Sequence, residues 1–410
     1  MSRADLTCES VEMTDTQGAL DGVKVVEFAS YVAGPYAGGL LADLGATVIK
    51  VEAPPRGDPY RSWGSGNYSS VFCSLNRSKR SIFLNLKTPR GLDVARRLVG
   101  DADVLLQNSR ADAMSRLGLG YEQLRTECPQ LIYCSITGFG LDGPDHTQAG
   151  YDTVGQARSG LMSLLTDLDN AQPMGVSLSD HLAGLFAVYG VLAALVARER
   201  TGRGQLVDTS LLQSSVSFIS ENLARFLNDG GQVPTRFTRA QSAQVFAVRD
   251  EAGSPFVVHL SSPDKFWHAL LAVLGRSDLV DDLRFADRRQ RIEHRKDIQV
   301  LLDETFATGT REQWLDRLRE ADVPCAPLQN LAEVVEDPQV RHLGMVAEVE
   351  HPVAGNRQLL RSGVNLHGTP TRLGPAPLAG EDTELILAEL GLPPDYLSSP
   401  AAGETPNPAR

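Results

Sequence analysis

The chain has 410 residues, 42% hydrophobic, 22% charged and 6% aromatic, with a net charge of −12. That length supports two domains, each with its own core, and the acidic balance excludes a general nucleic-acid binder, which carries a basic face. Five cysteines (Cys8, Cys73, Cys128, Cys134, Cys325) have no CxxC spacing, which reads as a reducing compartment with no disulfide framework and no structural zinc.

The first 18 residues are polar and acidic. They lack the apolar region of a signal peptide and are expected to be a disordered leader. Val23–Phe28 (VKVVEF) reads as a buried strand. The turn Ala33-Gly34-Pro35 and a helical pattern through Leu40, Leu41 and Leu44 follow, and Thr47–Val51 (TVIKV) is a second strand. Strand, helix and strand in so short a span is the size of a parallel βαβ unit. The pattern recurs as strand Ser81–Leu86, helix Gly91–Val99, strand Asp103–Leu106, helix Tyr121–Glu127 and strand Leu131–Ile136. Such alternation predicts an open α/β sheet with helices on its faces. Its ligands sit beyond the carboxyl ends of the strands.

Gly138-Phe-Gly140-Leu-Asp-Gly143 spells GxGxxG after a strand. A dinucleotide fingerprint must open a helix, and Pro144-Asp-His-Thr follows instead, so this is read as a glycine-rich turn. Gln156–Val196 is mostly helical in pattern, with basic residues and Gly202 at its end. Its apolar stretch Leu182–Val196, broken by Gly184 and Gly190, is too short for a membrane span. Val207–Leu212 is short and buried, and Asn228–Pro234 is a loop suited to a crossing into a second domain. Strands Gln244–Val248 and Pro255–Leu260 precede helices Lys265–Leu274, Lys296–Ala307 and Arg311–Ala321. Arg284–Lys296 is dense in charge and reads as a solvated helix face. A helix at Thr383–Leu390 precedes a loose tail.

No HExxH, GxSxG or GK[ST] motif is present, and no His/Asp/Glu cluster has metal-ligand spacing. His146 and His181 are each open to an acid–base or a structural role. Asp180 stands between a polar loop and the apolar helix. There a carboxylate is either a helix cap, kept ionised by backbone N–H groups and the dipole, or a nucleophile.

Several separated segments together resemble the class III CoA-transferases, the family that includes formyl-CoA transferase, carnitine CoA-transferase and the α-methylacyl-CoA racemases. They are Leu20–Phe28 with Ala33-Gly34-Pro35, Leu41–Glu52, Gly57-Asp58, Arg77–Lys87, Arg116–Tyr121 and Ile132–Gly140. Gly150-Tyr151-Asp152, Gln156–Gly160, Asp180 with Gly184, and Arg200–Gln205 complete the series, with fainter matches at Thr310–Trp314, Val323-Pro324 and Asp337–Val340. The resemblance implies that Asp180 is the nucleophile, forming a mixed anhydride and then an aspartyl-CoA thioester. Thioester energy is kept throughout, so neither ATP nor metal is needed. By position it implies CoA contacts at Val32 and Ala33, at Leu84, Asn85, Leu86 and Lys87, at Asn108, Ser109 and Arg110, at Arg116, and at Tyr151 with Asp152. Lys87 and Arg116 are the implied phosphate partners.

The same resemblance implies a Rossmann-like large domain, a smaller α+β domain and an interlocked, ring-shaped homodimer. The expected division is a large domain over 19–225, a small domain over 226–335, a return to the large domain over 336–395 and a flexible tail over 396–410. The substrates implied are an acyl-CoA and a carboxylic acid acceptor, with no tightly bound cofactor, metal, nucleic acid or membrane partner, in the cytoplasm. Val32 and Ala53 stand where formyl-CoA transferases carry glutamine and arginine, which argues against formate and oxalate. Asn108-Ser-Arg-Ala-Asp112 departs from the family's Asn-Phe-(Arg/Gly)-Pro-Gly. The racemase branch carries a histidine where this chain has Tyr151, a poor base near neutral pH. An α-methylacyl-CoA racemase and a non-catalytic CoA-binding protein are the alternative readings.

Overall fold

Short runs of valine, isoleucine and leucine build a six-stranded parallel sheet in the computed structural model, which describes residues 17–64, 68–173 and 175–398. Most of the expected leader and residues 399–410 of the expected tail lie outside the described residues. The strands are β1 (Lys24–Phe28), β2 (Thr47–Glu52), β3 (Arg80–Phe83), β4 (Val104–Gln107), β5 (Ile132–Thr137) and β6 (Leu206–Ser210). Between them run α1 (Ala33–Asp43), α2 (Ser70–Leu75), α3 (Pro89–Gly100), α4 (Ala113–Arg116), α5 (Tyr121–Glu127), α6 (Asp152–Arg158) and α7 (Leu178–Thr201), and α8 (Leu211–Phe218) follows β6. The strand order is β3-β2-β1-β4-β5-β6. Successive side chains of a strand face opposite ways. Val25, Val48, Val104 and Ile132 therefore join α1 and α7 in one core. Their neighbours Val26, Ile49, Leu105 and Tyr133 join α3 and the late helix Thr383–Glu389 in another.

The chain divides into two units. The first comprises the residues up to Gly160, Pro173–Ile219 and those from His342 onward; the second comprises Leu161–Gln172 and Ser220–Arg341. In the second unit β7 (Val245–Arg249), β8 (Pro255–His259) and β9 (Cys325–Pro327) form an antiparallel sheet. Phe246, Phe256, Trp267, Leu302, Phe306 and Trp314 are among the residues of its core. In the segment read as a solvated helix face, Arg284, Arg288, Arg289 and Lys296 are exposed, but Arg291 departs from that reading. Arg291 is 1% exposed. Its guanidinium donates to Gln244 Oε1 at 2.9 Å and to the Phe285 carbonyl at 3.1 Å, and pairs with Asp264. A guanidinium with that many partners can be buried where a lone charge cannot.

The apolar stretch Leu182–Val196 lies inside a longer helix, α7, that begins at Leu178 and ends at Thr201. The two glycines do not break α7, which runs for 24 residues and is long and apolar enough to cross a membrane by length and composition. A Cβ on Gly184 would lie 2.8 Å from Tyr36 Cδ1 and 2.9 Å from the Ala33 carbonyl oxygen, and one on Gly190 2.5 Å from Val207 Cγ1. The glycines let α7 press onto α1 and β6, and Leu182, Ala183, Ala187, Val191 and Ala194 are buried there.

Four fully buried charges lie inside the first unit. Lys50 Nζ meets Glu27 Oε1 at 3.0 Å, Asp58 Oδ2 at 2.9 Å and the Ala29 carbonyl at 2.8 Å. Lys79 Nζ meets Glu27 Oε2 at 2.7 Å. Burial alone pulls the Lys50 ammonium down, but the charges of Glu27, Asp58 and Glu52 overcome this and hold it above the usual lysine value. Lys79 has no such surplus of carboxylates, and burial brings it to about 8. Lys50→Met leaves Glu27 and Asp58 short of a cation in a dry site. We expect it to lower the free energy of unfolding by about 3–5 kcal/mol, read from the midpoint of urea denaturation.

Candidate active site

Strand order reverses between β1 and β4, and an open α/β sheet binds its ligands in the crevice at such a point. The loops leaving those two strands are locked together there. Asn108 Oδ1 accepts from the Ser30 N–H at 3.0 Å and its Nδ2 donates to the Ser30 carbonyl at 2.7 Å. Gly34 makes the approach possible, since a Cβ there would lie 2.4 Å from Ala29 Cβ and 3.1 Å from Asn108 Cγ. Asp58, held by Lys50, accepts from the N–H groups of Tyr60 at 2.9 Å and Tyr31 at 3.4 Å. Tyr31 adopts φ of 67°, a left-handed conformation that is strained for tyrosine. It turns the chain so that Val32 and Ala33 enter the crevice as α1 begins.

The crevice holds a cleft of about 210 Å3. Tyr31, Val32 and Ala33 line it from the first loop, and Asn108, Ser109, Arg110 and Ala111 from the loop after β4. Thr137, Gly138, His146 and Gln148 to Tyr151 come from the glycine-rich loop after β5, and Asp180 from α7. That loop carries no helix before α6, so the GxGxxG run opens no phosphate-binding helix. Its two ends close on each other, a Cβ on Gly138 falling 2.8 Å from Gly150 Cα. His146 Nδ1 lies 2.7 Å from the Gly143 carbonyl. A carbonyl only accepts, so Nδ1 carries the proton and Nε2 is left with a lone pair. His181 Nδ1 likewise donates to the Ser177 carbonyl at 2.6 Å, and its ring stacks edge-on to Tyr36, which gives it a structural part.

Asp180 is not the helix cap. Ser177 occupies that position, without a side-chain cap bond, and Asp180 is the third residue of α7. Its N–H donates to Asp152 Oδ1 at 3.2 Å. The electrostatic expectation is corrected as well. The start of a helix favours a carboxylate, yet burial first, and the neighbouring Asp152 charge second, push the Asp180 carboxyl up to about 7. Desolvation outweighs the dipole. Tyr60 is raised by burial and then by the nearby charge of Asp180. Its ring lies edge-on to Tyr31 with centroids 5.5 Å apart, and Tyr31 lies edge-on to Tyr151 at 6.3 Å.

Of the residues implied by resemblance, Asp180, Val32, Ala33, Asn108, Ser109, Arg110 and Tyr151 line this one cleft, and Asp152 adjoins it through the Asp180 N–H. Leu84 to Lys87 and Arg116 do not line it. Leu84 is buried in the sheet core and Leu86 packs at its edge. Asn85 and Lys87 form an exposed turn after β3, with the Lys87 N–H donating to Asn85 Oδ1 at 3.1 Å. Arg116 is exposed at the end of α4. Arg110, Lys87 and Arg116 have no ion-pair partner among the described residues. Tyr31 and Thr137 lie at or just beyond strand ends, where the sequence placed the ligands of such a sheet, whereas Gln148 and the ring of Tyr60 had no sequence signal, because loop crossings bring them near the site. No group of three or more His, Cys, Asp or Glu residues suited to a metal occurs among the described residues.

A family model described as CoA-transferase family III matches residues 20–383. The chain is 35% identical over 381 residues to the Homo sapiens protein named succinyl-CoA:glutarate CoA-transferase, covering 90% of this chain and 86% of that one. It is 36% identical over 389 residues to the succinyl-CoA:mesaconate CoA-transferase of Haloarcula marismortui, covering 92% and 97%. The crystal structure of a CAIB/BAIF family protein from Brucella suis aligns with a TM-score of 0.81 at 34% identity, over 91% of this chain and 100% of that one.

A carboxyl raised from 3.8 to about 7 on folding makes the folded state hold the extra proton between those values. Stability therefore falls as pH rises through that window. Asp180→Asn keeps the shape and removes the charge. We expect it to raise Tm at pH 8 by about 2–4 °C and to leave Tm nearly unchanged at pH 3.5, as read by thermal unfolding followed by circular dichroism.

Proposed function

The chain belongs to CoA-transferase family III, and we propose that it moves CoA from an acyl-CoA to a second carboxylic acid through covalent intermediates on Asp180. The observation that carries this reading is the state of Asp180: a half-buried carboxylate at the strand-order reversal, stripped of water and raised to about 7. A carboxylate in that state is a stronger nucleophile than one in water.

In the proposed sequence an Asp180 oxygen attacks the thioester carbonyl. The C–S bond breaks, CoA leaves as thiolate, and a mixed anhydride remains on Asp180. The thiolate then attacks the Asp180 carbonyl carbon, giving the aspartyl-CoA thioester and releasing the donor acid as its carboxylate. An acceptor carboxylate attacks that thioester to form a second anhydride, and the thiolate takes the acceptor acyl group from it. Asp180 returns as a carboxylate, and no step consumes a proton.

CoA is polyanionic, and Lys87, Arg110 and Arg116 are assigned to its phosphates as cations without a carboxylate partner among the described residues. The start of α1 at Ala33 has no acidic residue in its first turn, which suits an anion. A cleft of 210 Å3 is below the roughly 300–1,000 Å3 of a pocket enclosing a drug-sized ligand. It is assigned to the thioester end, with the nucleotide lying along Leu84 to Lys87. The homodimer belongs to the same proposal. It is supported by Leu185, Tyr189 and Val196, exposed apolar residues on one side of α7. Cytoplasmic location and the absence of a tightly bound cofactor are also part of it. The racemase reading is disfavoured because Tyr151 stands where that branch carries its histidine base.

The test is peptide mass spectrometry after incubation with a panel of acyl-CoA thioesters that includes succinyl-CoA. We expect a hydroxylamine-sensitive adduct on the peptide containing Asp180, absent in Asp180→Ala. An adduct that persists in the mutant overturns the assignment. The carboxylate form must attack, so kcat/KM for the donor is expected to fall below a pKa near 7 and to level off above it.

A further inference from the structure

We infer that Gln156 is a positioning residue for Asp180, acting through Asp152. The inference rests on Asp180 being the nucleophile. Gln156 lies on α6, one turn after Asp152, and is 1% exposed. Its Nε2 donates to Asp152 Oδ2 at 2.6 Å and to the Val176 carbonyl at 3.0 Å. Both partners only accept, which fixes the orientation of the amide. The other oxygen of Asp152 accepts from the Asp180 N–H at 3.2 Å. One buried amide thus joins α6, the loop before α7 and the first turn of α7.

Two features separate this arrangement from ordinary packing. Gln156 Oε1 is buried without a hydrogen-bond partner, a cost that an apolar residue of similar size would avoid. Ser177, the cap of α7, makes no side-chain cap bond. An orphan N–H of the first turn is instead served by a carboxylate from another helix. That leaves the Asp180 carboxylate itself without a hydrogen bond among the described residues. Asp152, in turn, is held on the backbone by Gln156 and kept off the nucleophile. If Asp152 swung free, the two carboxyls would be able to share a proton and Asp180 would lose its attacking form. The other titratable groups facing Asp180 are Tyr60 from the turn after β2, Tyr31 and Tyr151 at the rim, and Arg110 and His146 from the adjoining loops.

The experiment compares wild type with Gln156→Met, Gln156→Glu and Asp180→Ala, using succinyl-CoA as the donor probe and hydrogen–deuterium exchange as a readout independent of any substrate. In Gln156→Met the peptide spanning Val176 to Gly184 is expected to exchange about tenfold faster while a β4 peptide is unchanged. Adduct formation is expected to slow about 100-fold with KM unaltered. Gln156→Glu sets a third carboxyl against Asp152, and the acid limb is expected to move up by about half a pH unit or more. Unchanged exchange in Gln156→Met, or an acid limb that stays in place in Gln156→Glu, overturns the clamp. An adduct that survives in Asp180→Ala overturns the nucleophile instead, and the exchange result then still reports on the clamp alone.

Discussion

The ion cluster of Glu27, Lys50, Asp58 and Lys79 is the constraint on which the site depends. A sheet whose strands are buried on both faces has little room for charge, yet β1 buries Glu27 and β2 buries both Lys50 and Glu52. The cluster is stable only because each cation meets an anion at close range and Lys50 also meets the Ala29 carbonyl. Buried pairs of this kind contribute little net stability compared with apolar side chains of the same volume. What this one supplies is position. Asp58, held by Lys50, fixes the turn at Tyr60 and draws the Tyr31 N–H toward it, so the loop after β1 has one course over the crevice. Gly38 is required for the same reason, since a Cβ there would fall 1.9 Å from Glu27 Oε2.

On that frame the proposed nucleophile, Asp180, is subject to two opposed electrostatic effects. A helix start favours an ionised carboxylate, whereas burial and Asp152 push Asp180 the other way. The second pair wins, and the carboxyl titrates near neutrality. For a nucleophile that must shed its water before attack, incomplete solvation in the ground state removes part of the barrier. It also costs stability, as functional groups commonly do. The rings of Tyr31, Tyr60 and Tyr151 lie edge-on to one another in turn, Tyr60 to Tyr31 and Tyr31 to Tyr151, beside this carboxyl.

The relatives reported above are named for different acids, glutarate in one and mesaconate in the other. In this chain the proposed nucleophile, Asp180, rests on helix α7 while most of the cleft lining comes from loops. The departures noted in the sequence, Val32, Ala53 and the run after Asn108, all fall on loops at the carboxyl edge of the sheet.

Much of the first unit was legible from sequence. Strands such as Thr47–Glu52 and helices such as Tyr121–Glu127 announce themselves by period, and their alternation alone implies a parallel sheet. The exceptions have local causes. β6 looked merely short and buried, because its sequence LVDTS has too few apolar residues to show a strand pattern. Gly184 and Gly190 looked like gaps in the apolar stretch of α7, because their close packing against Tyr36 and Val207 is invisible in one dimension. Arg291 looked solvated, because its partners Gln244 and Asp264 are distant in sequence. For the site, the identity of Asp180 came from the order and spacing of motifs that resemble a family. Its place in the helix and its raised pKa were decided only by tertiary structure, as were its neighbours Tyr60 and Gln148. Periodicity records how each segment meets a core. Desolvation and loop crossing depend on which segments meet one another, and that is settled only when the sheet has formed.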